Sequence, residues 1–107
     1  MDIRRYIELG IPIPLGRAGE DGVTSYKFGY GDYVEDYGVG ELKILHQRPG
    51  DTEPQPVTIT TEDNMATWAI TSTDTAYAGT GRIQVMYTAD DAVKKTMVGT
   101  TIIEPSL

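Results

Sequence analysis

Turn-forming residues interrupt this chain so often that a long helix has no room to form. Pro49-Gly50-Asp51, Glu62-Asp63-Asn64 and Ala89-Asp90-Asp91-Ala92 separate segments in which apolar and polar residues alternate. A period of two marks a strand with one buried face, and clusters of Gly, Pro, Asn and Asp between such segments are turns. Tyr26, Phe28 and Tyr30 share a face on this reading, as do Leu42, Ile44 and His46. Ala66, Trp68 and Ile70 form a third set, and Ile83, Val85 and Tyr87 a fourth. A last strand, rich in Thr, Val and Ile, runs from Val93 to Glu104. The expected fold class is all-β.

The connections refine that expectation. Gly31 to Gly38 allows one helical turn, with Asp32 as cap, Glu35 three residues on, and Val34 and Tyr37 facing the core. Most other links read as hairpins, but Thr71 to Gly79 is long enough to cross from one sheet to another. About seven strands joined in this way describe an Ig-like antiparallel β-sandwich. Residues 1–22 differ from the rest. Ile11-Pro12-Ile13-Pro14-Leu15-Gly16 carries two prolines, each of which removes a backbone donor and extends its predecessor. The expected division is an extended N-terminal arm over 1–22, with one edge strand near Tyr6-Ile7-Glu8-Leu9, and a sandwich domain over 23–107.

Composition narrows the function. A chain of 107 residues makes one domain, and 39% hydrophobic residues with 12 glycines suit thin layers and many turns. There is no cysteine, so disulfides, thiolate metal sites and cysteine nucleophiles are ruled out. The net charge of −7 opposes non-specific nucleic-acid binding, which depends on Lys and Arg neutralising phosphates. No run approaches the roughly 20 apolar residues of a membrane helix, and nothing at the N-terminus reads as a signal peptide. No cofactor, nucleic acid or membrane is expected.

Each candidate for chemistry has a plainer structural reading. His46, the sole histidine, lies mid-strand on an apolar face, where a structural role is expected. The carboxylates Glu20-Asp21, Asp32 with Glu35-Asp36, Glu62-Asp63 and Asp90-Asp91 fall in turns, where they solvate and cap the backbone. Gly79-Thr80-Gly81 lacks the strand-to-helix context of a phosphate loop. Asp74-Thr75-Ala76-Tyr77 resembles the tyrosine corner of immunoglobulin domains, one residue out of register. Tyr26, Tyr30, Tyr33 and Tyr37 form a possible aromatic binding patch. No catalytic or metal-binding residues are expected.

Four segments in order carry a resemblance. They are Gly31-Asp32-Tyr33-Val34-Glu35-Asp36-Tyr37-Gly38; Leu42 through Arg48-Pro49-Gly50-Asp51; Trp68-Ala69-Ile70-Thr71 with Asp74-Thr75-Ala76; and Gly79-Thr80-Gly81-Arg82-Ile83-Gln84-Val85 with the final Pro105-Ser106-Leu107. The chain after residue 22 resembles the N-terminal Ig-like domain of phage and prophage fibre-type structural proteins, the upper baseplate protein family among them. The resemblance implies a virion module, made in the bacterial host cytoplasm, that fixes a baseplate, tail-fibre or head-fibre appendage and carries no catalytic residues. A stalk would be expected to follow such a domain. This sequence has none, so it reads as a fragment or a free-standing adaptor. Other virion proteins are the expected partners, with homo-oligomers in the particle. The arm supplies the expected interface: Ile11, Pro12, Ile13, Pro14 and Leu15 as anchors, with Arg4, Arg5 and Arg17 for polar contacts. A carbohydrate-binding or adhesin-type sandwich using the tyrosines is the alternative.

Overall fold

Two β-sheets face each other in the computed structural model, which describes residues 3–7 and 10–106, with side chains from Ile7 onward. Nine strands and one helix occur among the described residues: β1 Ile3–Tyr6, β2 Ile13–Arg17, β3 Thr24–Gly29, α1 Gly31–Tyr37, β4 Glu41–Gln47, β5 Gln55–Pro56, β6 Ile59–Glu62, β7 Met65–Ala69, β8 Gly79–Ala89 and β9 Ala92–Glu104. One sheet has the order β1-β3-β7-β6 and the other β2-β9-β8-β4-β5. The fold is therefore all-β, with two more strands than the alternation in the sequence delineates.

The alternating residues fill the space between the sheets. Leu42, Ile44 and His46 of β4 are buried, as are Ile83, Val85 and Tyr87 of β8. Opposite them lie Tyr26 of β3 and Ala66, Trp68 and Ile70 on and just after β7. Each large apolar side chain removed from water contributes about 1.5–3 kcal/mol, which makes this layer the main source of stability. Both tight hairpins use residues that tolerate positive φ. Asp63 and Asn64 stand at φ 51° and 60°, and Asp90 and Asp91 at the same values, so each pair forms a two-residue turn that matches strand twist. The β7–β8 connector crosses between the sheets, as its length implies.

Residues 1–22 do not form a separate arm. β1 pairs in parallel with β3, and β2 pairs in parallel with β9, so the segment passes from one sheet to the other and closes one side of the sandwich. Two pairings are thus parallel, against the all-antiparallel expectation. Ile13 and Leu15 are 2% and 1% exposed and belong to the core. Pro12 and Pro14 point outward and are exposed. Both prolines are compatible with pairing because β2 is an edge strand, where a missing N–H leaves no ladder bond unmade. Gly16, at φ 117°, sits where the β2–β9 register shifts. The turn after β2 is pinned on both sides. Ala18 N–H donates to Glu104 O at 2.8 Å, Gly19 N–H to Thr75 O at 2.9 Å, and the Thr75 hydroxyl to Glu20 O at 2.8 Å.

The edges at β2, β5, β6 and the open part of β9 carry features that oppose strand addition. β2 contains Pro14 and follows Pro12, and two-residue β5 contains Pro56 and follows Pro54. β6 is four residues long and ends at Glu62-Asp63. β2 covers β9 only from Thr101 to Glu104, and the remaining edge of β9 carries Lys94, Lys95 and a bulge opposite Tyr87 and Thr88.

Candidate functional site

The quoted segments converge on two clasps, one at each end of the core. The first surrounds the β7–β8 connector. Asp74 folds back so that its Oδ2 accepts three hydrogen bonds: from Trp68 Nε1 at 3.2 Å, Thr71 N–H at 2.9 Å and the Thr71 hydroxyl at 3.0 Å. Trp68 itself is 1% exposed. Its ring meets His46, on the opposite sheet, edge-on at a centroid distance of 5.2 Å. His46 Nε2 lies 3.1 Å from Thr101 Oγ1, and its Nδ1, unpartnered among the described residues, faces Asp74 Oδ1 at 4.0 Å.

Gly81 completes this packing. A methyl group there would stand 2.6 Å from Gln47 O, 2.7 Å from Thr101 Oγ1 and 3.3 Å from His46 Nε2. The glycine is needed because backbone and side chains approach closely at this strand entry. Nearby, Pro49 and Gly50 occupy the central positions of a turn closed by Asp51 N–H donating to Arg48 O at 3.0 Å, with Gly50 at φ 88°. The Asp51 carboxylate accepts from the Arg48 backbone N–H, Nε and Nη2 at 3.0, 2.9 and 3.1 Å. That pairing raises the Arg48 pKa and lowers that of Asp51. Arg48 also donates to Thr73 O at 3.2 Å and lies 5.0 Å above the Tyr77 ring, tying β4 to the connector. Tyr77 is half-exposed beneath that guanidinium, so the corner resembling an immunoglobulin tyrosine corner is held by Asp74 and Trp68.

The second clasp is aromatic and lies around α1. Tyr33 stacks on Phe28 at 6.2 Å and meets Tyr87 at 5.8 Å, while Tyr37 and Tyr30 approach Tyr87 at 6.4 and 6.0 Å. The Tyr87 hydroxyl donates to Gly38 O at 2.5 Å and the Tyr33 hydroxyl to Met97 Sδ at 3.1 Å. Burial and the neighbouring Asp32 charge raise the Tyr33 pKa. Tyr30 precedes the helix as its N-cap and no side chain caps it, so Asp32 does not fill that role.

The tyrosines therefore form no open patch. Tyr26 stands apart, 3% exposed, with its hydroxyl donating to Pro14 O at 2.5 Å. Tyr30 is 9% exposed, and Tyr33 and Tyr37 are half-buried against the rings named above. Of the expected arm interface, Ile13 and Leu15 face this chain's own core, whereas Ile11, Pro12, Pro14 and Arg17 are exposed. Arg17 donates to Pro105 O at 2.9 Å. The side chains of Arg4 and Arg5 lie outside the described residues.

Asp74, His46 and Thr101 stand in the order of a carboxylate–imidazole–hydroxyl relay, but Thr101 is fully buried and its hydroxyl meets no solvent. A cleft of about 270 Å³ lies beside His46, Arg48, Gln55 and Thr73, and a neighbouring one of about 250 Å³ shares Thr73 and Asp74 with it. No group of three or more His, Cys, Asp or Glu among the described residues is placed to hold a metal. Among the described residues no helix is long and apolar enough to cross a membrane.

Burial lowers the His46 pKa from 6.5, outweighing the opposing pull of Asp74 and Asp51. The unfolded chain therefore takes up a proton near pH 6.5 that the folded chain refuses, and stability falls as the pH drops through and below that value. Urea midpoints measured from pH 7 to pH 5 are expected to decline, and the His46→Gln variant is expected to lose most of that slope. An equal slope in the variant would assign the effect to other groups.

The outer face of the five-stranded sheet is a surface that the alternation within single strands does not mark. Leu45, Met86, Val98 and Ile102 point away from the core, each next to an inward apolar residue. Consecutive apolar pairs such as Ile44-Leu45, Val85-Met86 and Met97-Val98 were the available signal, because they mark strands with apolar residues on both faces.

The chain matches no family model and no curated protein. Its fold and clasps define a class: a two-sheet all-β module whose distinctive residues hold the sheets together.

Proposed function

We propose that the chain is a non-enzymatic structural module of a phage particle, Ig-like in plan, that anchors a baseplate, tail-fibre or head-fibre appendage by protein–protein contacts. The observation that carries this reading is the use to which the resembling residues are put. Trp68, Asp74 and the α1 aromatics stand where the two sheets meet, Arg48 ties β4 to the connector between them with Asp51 holding it in place, and Gly81 lets β8 approach β4 and β9 closely beside that junction. A pattern shared for architecture suits a scaffold that positions other components.

Strand order supports the Ig-like plan. Labelled A to G, with β1 as A and β2 as its continuation A′, the sheets read A-B-E-D and A′-G-F-C-C′. The parallel β1–β3 pairing is a departure from that plan. Edges that oppose strand addition at β2, β5, β6 and β9 favour contacts through the faces and corners of the module.

The proposal is tested by mass spectrometry of density-purified particles induced from the source organism. Peptides of this chain at an abundance comparable with other structural proteins are expected. Their absence from particles, together with abundance in the cell fraction, would overturn the proposal.

A further inference from the structure

The outer face of the five-stranded sheet has a chemistry unlike the rest of this acidic chain. Read across β9, β8 and β4, its rows are Thr100–Arg82–Gln47, Val98–Gln84–Leu45 and Thr96–Met86–Lys43. Ile102 lies beyond the first row and Val93 beyond the last. Val93 and Val98 are 53% and 58% exposed, and Leu45, Met86 and Ile102 are half-buried. Lys43 and Arg82 flank this apolar centre, and Lys94 stands at its rim beside the bulge. Glu41 and Glu104 occupy only its corners, and Glu104 is in register with Arg17. The whole chain, by contrast, carries −7.

The corner at α1 has the opposite character. Asp32, Glu35 and Asp36 are exposed on the helix, and Val39, flanked by glycines just beyond it, is 88% exposed. An apolar knob ringed by carboxylates complements an apolar centre flanked by cations. We infer that the outer face of the five-stranded sheet receives the α1 corner of a second copy of this chain, with Val39 against Val98 and Leu45, and the α1 carboxylates against Lys43 and Arg82.

Two alternatives fit less well. Face-to-face pairing of copies sets Lys43 and Arg82 against cations of the same face. Edge-to-edge pairing through the five-stranded sheet meets the prolines at β2 and β5 and the lysines of β9. A face that receives a corner is a heterologous contact, so successive copies build a ring or a filament. Three strands about 4.8 Å apart and five residues long cover roughly 250 Å², well below the roughly 800 Å² per partner of a stable complex. Each contact is accordingly weak, and it gains strength when copies are held together in an assembly.

The inference deepens the reading of the chain as an assembly module, and it is tested on the isolated chain without particles. Sedimentation velocity at about 1 mM protein reaches affinities as weak as about −4 kcal/mol. At low salt, where the Debye length is about 30 Å, the wild-type chain is expected to associate, and at about 1 M salt it is expected to return to monomer. The Lys43→Glu/Arg82→Glu variant and the Asp32→Lys/Glu35→Lys variant are each expected to stay monomeric while melting like the wild type, because all four positions are exposed. An equimolar mixture of the two variants restores opposite charges across the contact and is expected to associate again. A monomeric wild type at low salt, variants that associate as it does, or a mixture that stays monomeric would each overturn the inference. Absence of the chain from particles, with self-association intact, would remove the virion reading and leave this contact standing.

Discussion

Replacing Asp74 by alanine is expected to destabilise the fold by about 3 kcal/mol, because one carboxylate oxygen satisfies three donors at the junction of the two sheets. A buried donor left without a partner costs about 1–3 kcal/mol. Trp68 Nε1 bears most of that cost, since its residue is 1% exposed and water reaches it poorly. The Thr71 donors are partly exposed and recover some hydration. His46 Nδ1 also loses the carboxylate oxygen that faces it at 4.0 Å. Urea unfolding is the measurement, with the midpoint shifting and the slope unchanged. Asp74→Asn keeps an acceptor at the same place and is expected to recover part of the loss. A shift below about 0.5 kcal/mol in the alanine variant, the range of ordinary surface substitutions, would mean that the clasp contributes nothing.

Leu15→Ala is expected to cost about 2–5 kcal/mol, the range for truncating a fully buried leucine. The side chain is 1% exposed and belongs to the core with Ile13 and Ile103. Pro14→Ala, one residue away but exposed, keeps the backbone carbonyl that accepts from Tyr26 and is expected to change little. Deleting residues 1–17 removes both β1 and β2 and is expected to abolish cooperative unfolding. A free arm gives the reverse pattern: both point variants neutral, and a truncated chain that unfolds as cooperatively as the whole. Urea titration of the three variants separates the two arrangements.

Inward faces were the most legible part of the fold. In β4, β7 and β8 the residues expected to point inward recur at every second position, and every one of them is buried. The turns at Asp63-Asn64 and Asp90-Asp91 were legible because few residue types accept positive φ. β2 was not, since Pro12 and Pro14 read as an obstacle to pairing until the strand is known to sit at an edge. Its partner, the end of β9, lies more than eighty residues away, and nothing local specifies a parallel pairing over that separation. The tyrosines were legible as an aromatic group but not as a buried one. Period-two alternation sets their face, whereas α1 and Tyr87 decide whether that face is covered. Trp68 was legible as an inward strand residue, but its pairing with Asp74 was not, because a hydrogen bond across a six-residue connector leaves no periodic trace.

Immunogold electron microscopy of induced particles, with antibody raised to this chain, tests the central claim most directly. The expected result is label confined to one part of the virion, at a tail tip, a fibre or the head surface, which also identifies the appendage that it serves. Bare particles, with label on cells or on nothing, would contradict the claim.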